Sequence, residues 1–422
     1  MGYEEPATIA VWLRRLNTSY WRCRTMRMDL PTPVLHSLFA LNQAGYEAYV
    51  VGGCVRDNLM GKEPFDWDIT TSALPEETLS VFQNYRTIET GIQHGTVTVI
   101  IDDTPLEITT YRVDGDYTDG RHPDKVAFTR SLAEDLRRRD FTVNAMAYHP
   151  DEGVVDLFGG TEDVSAGIIR AVGDPQTRFT EDSLRILRGL RFSATLGFDI
   201  EPATAEAIRT LSPTLSRVSA ERIATELTKL LCGQDAGRIL LEFSDVFERI
   251  VPYPLDYPFI AQDIAKVLPT PLHRYGTLFF TLKLKEVAAT AENLRFSRRL
   301  TEDLLSIIKL KAAPLSEDVP VILRLLNKLG LERLQALLAI RAIYDNADYT
   351  TIGTLANTLV NQGACYRISD LTVTGADLLA IGMKPGPNLG NTLSSLLDAV
   401  MDGVCSNEKE ALLNYINTKS LC

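Results

Sequence analysis

Residues 51–71 read VGGCVRDNLMGKEPFDWDITT, and the fold of the first part of the chain follows from them. The run just before, Tyr46 to Val51, is β-branched and aromatic, which predicts a strand. Gly52 and Gly53 then let the backbone turn sharply and approach a ligand closely. Val55 to Met60 is expected to form a short helix whose first N–H groups face whatever lies over the glycines, an arrangement suited to phosphate. Arg56 would add a planar cation. A second strand is expected over Asp66 to Thr70. Residues two apart on a strand share a face, so Asp66 and Asp68 should converge while Trp67 turns into the core. Two carboxylates held that close repel unless a cation lies between them. A hard ion such as Mg²⁺, bound by one or two carboxylates plus substrate phosphates, fits that demand. The stretch therefore points to metal-assisted phosphoryl chemistry.

Working outward, Pro75 to Asn84 is expected to be a helix with proline in its first turn. Gly95 to Ile101 and Leu106 to Tyr111 alternate as a strand pair around Asp102-Asp103-Thr104-Pro105, which predicts a hairpin. Glu107, on its second strand, is a candidate third carboxylate beside the two aspartates. Arg112 to Lys125 is dense in Gly, Asp and Pro and should be a long loop. Leu132 to Arg138 and Phe141 to Tyr148 are expected to be helical, followed by a short strand over Val154 to Leu157. Three adjacent arginines, Arg137 to Arg139, cannot share one helix face, so at least one should meet an anionic ligand or a carboxylate of the same domain. From Ala166 onward the pattern is helical, with breaks at Pro252 to Pro258, Pro269 to Pro271 and Lys384 to Pro387. The predicted fold class is an α+β head, a mixed sheet with flanking helices, followed by an all-α remainder.

A further helix is expected after Thr180 as N-cap, carrying Asp182, Arg185, Arg188 and Arg191 as one stripe and Leu184, Ile186, Leu187 and Leu190 on the other side. An aspartate accepts from an exocyclic amino group and an arginine donates to a neighbouring ring acceptor. Cytosine and adenine offer that pair; uracil and guanine present a carbonyl and a ring N–H instead. A fixed Asp182–Arg185 pair would select C and A by leaving the wrong bases with unpaired polar groups.

GGCVRD followed by DWDIT resembles the catalytic signature of the nucleotidyltransferase superfamily, in the branch of class II tRNA nucleotidyltransferases that holds bacterial CCA-adding enzymes and poly(A) polymerases. Arg138 to Ala145 match the family's RRDFTxNA motif, which includes Asn144, and Glu181, Asp182 and Arg185 match its EDxxR template. The resemblance implies that Arg139 contacts the nucleotide, Asp140 the ribose, and that Arg188 and Arg191 lie near the triphosphate. Residues 216–223 resemble the next motif, whose Glu-Arg pair braces the templating helix; 374–379 and 384–387 resemble the tail of bacterial members. It further implies template-independent addition of CCA to tRNA 3′ ends from CTP and ATP, with Mg²⁺ as cofactor. The implied layout is a head over 28–160, a nucleotide-recognising neck over 161–235, a body over 236–320 and a tRNA-binding tail over 321–422. In the family the loop before the RRD motif is tied to the final A, and this chain keeps a long one. A-only addition, poly(A) synthesis and an idle RNA-binding role are the alternatives.

Composition bounds the rest. The chain has 422 residues and a formal net charge of −12, so any nucleic-acid site must be a local basic surface on an acidic body. Six scattered cysteines without a CxxC pair fit a reduced, cytoplasmic protein. No apolar run reaches membrane-spanning length. Residues 1–27 fit no clear period and are expected to be a poorly ordered extension; Glu4 and Glu5 weigh against a transit peptide. Monomer and homodimer are both compatible with the sequence.

Overall fold

The computed structural model describes residues 27–114 and 126–419. The expected extension and most of the loop, residues 1–26 and 115–125, lie outside the described residues. The chain forms two compact units: one runs to Asp235 and includes Glu242–Ile250, and the other holds Ala236–Leu241 and the residues from Val251.

The first unit begins with α1 (Thr32–Gln43), β1 (Ala48–Val51), α2 (Gly53–Leu59), β2 (Asp68–Thr71), α3 (Pro75–Val81) and β3 (Arg86–Ile88). It continues through β4 (Thr96–Ile101), β5 (Thr104–Thr110), β6 (Arg112–Asp114), β7 (Val126–Phe128), α4 (Leu132–Arg137), β8 (Met146–His149) and β9 (Gly153–Asp156). Seven strands form one mixed sheet in the order β3-β4-β5-β2-β1-β8-β9. All four residues of β1 are buried, as a continuous apolar run at the middle of a covered sheet requires. β1 runs antiparallel to both β2 and β8, while β2 runs parallel to β5 and places Asp68 in register with Glu107. Val50, Ile69, Val97, Val99 and Ile108 pack with Leu38 and Leu41 of α1 in one core cluster. Each such side chain contributes about 1.5–3 kcal/mol on burial, so the site's strands are anchored from behind.

The β4–β5 hairpin is as expected, with a tighter turn: Asp102 and Asp103 alone make it, both at positive φ (48° and 59°), as a two-residue turn of matching twist demands. In this part of the chain three expectations need correction. Phe141 to Tyr148 is not a helix. Residues 142–144 make one 3₁₀ turn, and β8 then takes up Met146 to His149, inside the sheet and wholly buried. A short apolar run suits a central strand as well as a buried helix, and the free edge of β1 decides between them. Asp66 is not in a strand; β2 starts at Asp68. Arg112 does not open a loop, since β6 and β7 pair as a small hairpin at its two ends.

After β9 come α5 (Gly160–Ala166), β10 (Ile168–Ile169), α6 (Pro175–Glu181), α7 (Leu184–Leu196), β11 (Asp199–Ile200), α8 (Pro202–Leu211) and α9 (Ala220–Leu231). Thr180 is therefore no N-cap. It lies in the last turn of α6, and its hydroxyl donates to the Gln176 carbonyl at 2.7 Å. Asp182 sits in the break, with extended backbone (φ −139°, ψ 105°). Its carboxylate accepts from Leu184 N–H at 3.0 Å, so the residue read as part of the helix stripe instead ties down the helix start. Leu184, Ile186, Leu187 and Leu190 are buried, as the amphipathic pattern predicts. Gly189 lets α7 press on Phe141: a Cβ there would come within 2.9 Å of that ring.

Among the described residues of the second unit the regular elements are all helices. Prolines 271 and 387 open the helices Pro271–Phe279 and Pro387–Met401, at two of the expected breaks. The long helix Val319–Tyr344 is interrupted at Gly330, whose φ is 71°. Among the described residues no helix is long and apolar enough to cross a membrane.

Candidate active site

One cleft of about 480 Å³ in the first unit collects nearly every residue singled out from the sequence. Gly52, Gly53, Arg56, Asp66, Asp68, Arg139, Asp140, Asn144, Asp182, Arg185, Arg188 and Arg191 all line it. Glu107 does not; it lies on the neighbouring strand, in register beside Asp68.

Asp66 and Asp68 both reach solvent at the cleft. Asp68 is nonetheless pushed up to about 6, first because the surrounding walls strip water from its carboxylate, then through the charges of Asp66 and Glu107; Arg139 pulls the other way. Asp68 is thus overloaded with negative charge and undersupplied with cation. Among the described residues no three His, Cys, Asp or Glu side chains close a cage of their own. Two hard oxygen donors with an open side suit a divalent ion that keeps ligands from elsewhere.

Above the carboxylates the glycine turn is tight. Gly52 has φ 86°, and a Cβ there would meet Arg139 Nη1 at 3.3 Å. Arg56 is buried on α2, donating to Asp57 Oδ1 through Nε at 2.9 Å and to Asn144 Oδ1 through Nη1 at 2.6 Å. Asn144 is placed for this by the 3₁₀ turn that feeds β8. Arg139 donates from Nη2 to Asp135 at 3.2 Å, and its enclosed Nε has no hydrogen-bond partner in the protein. A buried donor without a partner is costly, and an anion in the cleft would satisfy it.

The opposite wall belongs to α7. Arg188 Nε donates to Asp140 Oδ2 at 2.6 Å, and Phe141 N–H donates to Asp140 Oδ1 at 2.9 Å. Burial works against the Asp140 charge, but the Arg188 guanidinium outweighs it and holds the carboxyl below its usual range. Arg191 pairs with Glu226 of α9, and its guanidinium sits 3.8 Å from the centre of the Phe192 ring. Arg56 and Arg188 approach the same ring at 5.6 and 5.4 Å, so one phenylalanine carries three cations.

Asp182 and Arg185 are each held by residues outside the pair. Arg222 of α9 grips Asp182 Oδ2 at 2.8 Å. Arg185 Nη1 donates to Glu181 at 2.6 Å and to the Arg178 carbonyl at 3.2 Å, and Nη2 to the Arg138 carbonyl at 2.9 Å. Each is fixed from behind by its own partner, as a rigid reading surface requires. The sequence missed Asp135, buried behind the wall, and its contacts with Arg138 and Arg139. An acid three and four residues before two arginines is a helix-pair signal that could have found them.

The chain's matches agree with this geometry. Residues 48–170 match the family model of the poly A polymerase head domain, 197–255 that of the RNA and SrmB-binding site of polymerase A, and 274–416 that of tRNA nucleotidyltransferase domain 2. The CCA-adding enzyme of Leuconostoc citreum is 40% identical over 394 residues, covering 89% of this chain and 93% of that one. That of Enterococcus faecalis is 37% identical over 383 residues, with the same two shares of 89% and 93%. The chain belongs to the CCA-adding enzyme family. A solved family member, the CCA-adding enzyme of Bacillus stearothermophilus in complex with CTP, shares the fold with a TM-score of 0.78 and 31% identity, covering 93% of this chain and 99% of that one. This family member is therefore a nucleotidyltransferase, and the resemblance read from GGCVRD and DWDIT extends through both units.

Proposed function

We propose that this member of the CCA-adding family adds C, C and A in turn to tRNA 3′ ends, from CTP and ATP and without a nucleic-acid template. One observation carries the proposal: the paired carboxylates of the 66–68 segment and the Asp182 and Arg185 side chains line the same cleft. Chemistry at one end and base choice at the other are what a polymerase needs when no template strand selects the nucleotide. The relatives compared are CCA-adding enzymes matched along nearly their whole length. Poly(A) synthesis, A-only addition and an idle RNA-binding role are accordingly not favoured.

The roles follow from position. Asp66 and Asp68 would hold a divalent metal, which nucleotidyltransferases of this kind use and which we take to be Mg²⁺. When bound, it would neutralise triphosphate charge and favour ionisation of the primer's 3′ hydroxyl. Glu107, whose charge opposes that of Asp68 from the next strand, would strengthen the site's demand for that cation. Arg139 offers its partnerless Nε–H to a phosphate, and Arg56, at the glycine turn, adds a fixed positive field. Asp140, with one oxygen on Arg188 and one on Phe141 N–H, keeps lone pairs for a ribose hydroxyl. Arg188 and Arg191 hold the cationic wall beside the triphosphate. Asp182 accepts from the amino group of C or A. Arg185 meets the adjacent ring acceptor by sharing a donor now given to Glu181 or to the Arg138 carbonyl. We read 28–160 as head, 161–235 as neck, 236–320 as body and 321–422 as tail, with the last two holding tRNA by shape and backbone charge in the cytoplasm.

The test is Asp66→Ala, assayed on a tRNA lacking its 3′ end. Loss of both C and A addition is expected, with tRNA binding retained; addition at the wild-type rate would remove the metal assignment.

A further inference from the structure

Asp135 has no role in the mechanism above, yet the parts of the site meet at it. It lies on α4 with none of its surface exposed. Oδ1 accepts from Arg138 Nε at 3.0 Å, from Arg138 Nη2 at 2.7 Å and from the Arg112 backbone N–H at 3.3 Å. Oδ2 accepts from Arg139 Nη2 at 3.2 Å and from Thr70 Oγ1 at 3.4 Å. Both oxygens are thus filled, and the donors come from three working parts of the site. Thr70 stands two residues beyond Asp68 on β2. Arg138 and Arg139 line the cleft. Arg112 starts β6, one arm of the hairpin that flanks residues 115–125. The Arg138 carbonyl, in turn, receives Arg185 Nη2.

A carboxylate buried this fully is costly unless paired and hydrogen-bonded. Burial raises its pKa, and the Arg139 and Arg138 guanidiniums outweigh that, so it stays ionised. A site that merely needed to bury two arginine stems could leave their heads in water. Here the heads are instead drawn back onto one point, with two of the four N–H groups coming from a single two-pronged Arg138 contact. Such a contact fixes orientation as well as charge.

We propose that Asp135 is a positioning residue for nucleotide selection. It aims Arg139 at the phosphate side of the cleft and fixes the Arg138 carbonyl against which Arg185 is held. The phosphate-side and base-reading guanidiniums therefore keep one spacing, set by a group that touches no substrate. This rests on the roles proposed above for Arg139 and Arg185.

The experiment compares Asp135→Asn with Arg139→Lys and the wild type, on a tRNA ending before CCA. Asparagine keeps the volume and one acceptor but removes the charge. Asp135→Asn should raise the KM for CTP and ATP and should lower the preference for CTP over UTP, each by about tenfold, the scale of one lost charge-assisted pair. A role in folding alone would lower the thermal midpoint and the active fraction, hence apparent kcat, and leave KM and the CTP-to-UTP ratio unchanged; that result overturns the inference. Arg139→Lys separates the two layers. If it leaves nucleotide KM unchanged, the role given to Arg139 fails. If it raises KM while Asp135→Asn does not, that role stands and the Asp135 inference fails. Should Asp135→Asn not fold, Arg138→Lys keeps a charge for Asp135 but loses the two-pronged grip. It should lower the CTP-to-UTP preference by at least about threefold, and an unchanged preference overturns the inference equally.

Discussion

Replacing Asp68 by asparagine should stop nucleotide addition and make the metal-free protein more stable. Asp68 rises from 3.8 to about 6 because the cleft walls dehydrate it and Asp66 and Glu107 repel its charge. A shift of roughly two units corresponds to about 3 kcal/mol if fully shielded. The carboxylate reaches solvent, so screening leaves about 1 kcal/mol. The sign is set by linkage. The folded state holds this proton more tightly than the unfolded chain, so the group favours folding below about pH 4 and loses that contribution as pH rises through about 6. At pH 8 Asp68 is charged and disfavoured, and asparagine removes the penalty. At pH 4 the carboxyl is protonated in the folded protein and the substitution changes little. Thermal unfolding in EDTA should therefore place Asp68→Asn about 2–4 °C above wild type at pH 8, a size expected of about 1 kcal/mol in a unit of this length, and close to wild type at pH 4. Added Mg²⁺ should raise the wild-type midpoint and not that of the variant. A lower midpoint for the variant at pH 8, or an equal gain at both pH values, would refute the reasoning.

Three more outcomes are expected. Nucleotide addition by the wild type at saturating Mg²⁺ should rise with pH as Asp68 ionises, with a midpoint below the metal-free value of about 6 because the cation favours the carboxylate, and primer extension across pH 4 to 8 checks it. Arg185→Ala should relax the choice of C and A over U and G while transfer stays measurable; competition between CTP and UTP reads it, and unchanged selectivity would contradict the base-reading role. Deleting residues 114–124 should stop A addition and spare CC, seen as products two nucleotides longer than the primer; equal loss of both would remove the loop's assigned part.

The parts of the fold legible in the sequence are those where local chemistry and tertiary context agree. The glycine turn, the β4–β5 hairpin and the apolar face of α7 each carry a signal within a few residues. β8 does not: Phe141 to Tyr148 reads as a helix, and only the open edge of β1, nearly a hundred residues earlier in the chain, makes Met146 to His149 a strand. Asp182 was legible as a candidate site residue and misplaced as a structural one, because Thr180 and Glu181 imitate a helix start while belonging to a helix end. Its partner Arg222 lies 40 residues further on, brought in by packing of α9 on α7. Asp135 was hidden by the arginines it holds. Three cations in a row drew attention to their charge, and the acid that turns two of them inward is a turn of helix away.

The account stands on one cleft joining two jobs, and the most direct measurement supplies nucleotides singly and together to a tRNA ending before CCA. CTP alone should extend the primer by two nucleotides, ATP alone by none, and the pair by three, with Arg185→Ala letting UTP extend the primer as well and Asp66→Ala abolishing all addition. Extension by repeated A from ATP alone, or transfer that persists without Asp66, would contradict it.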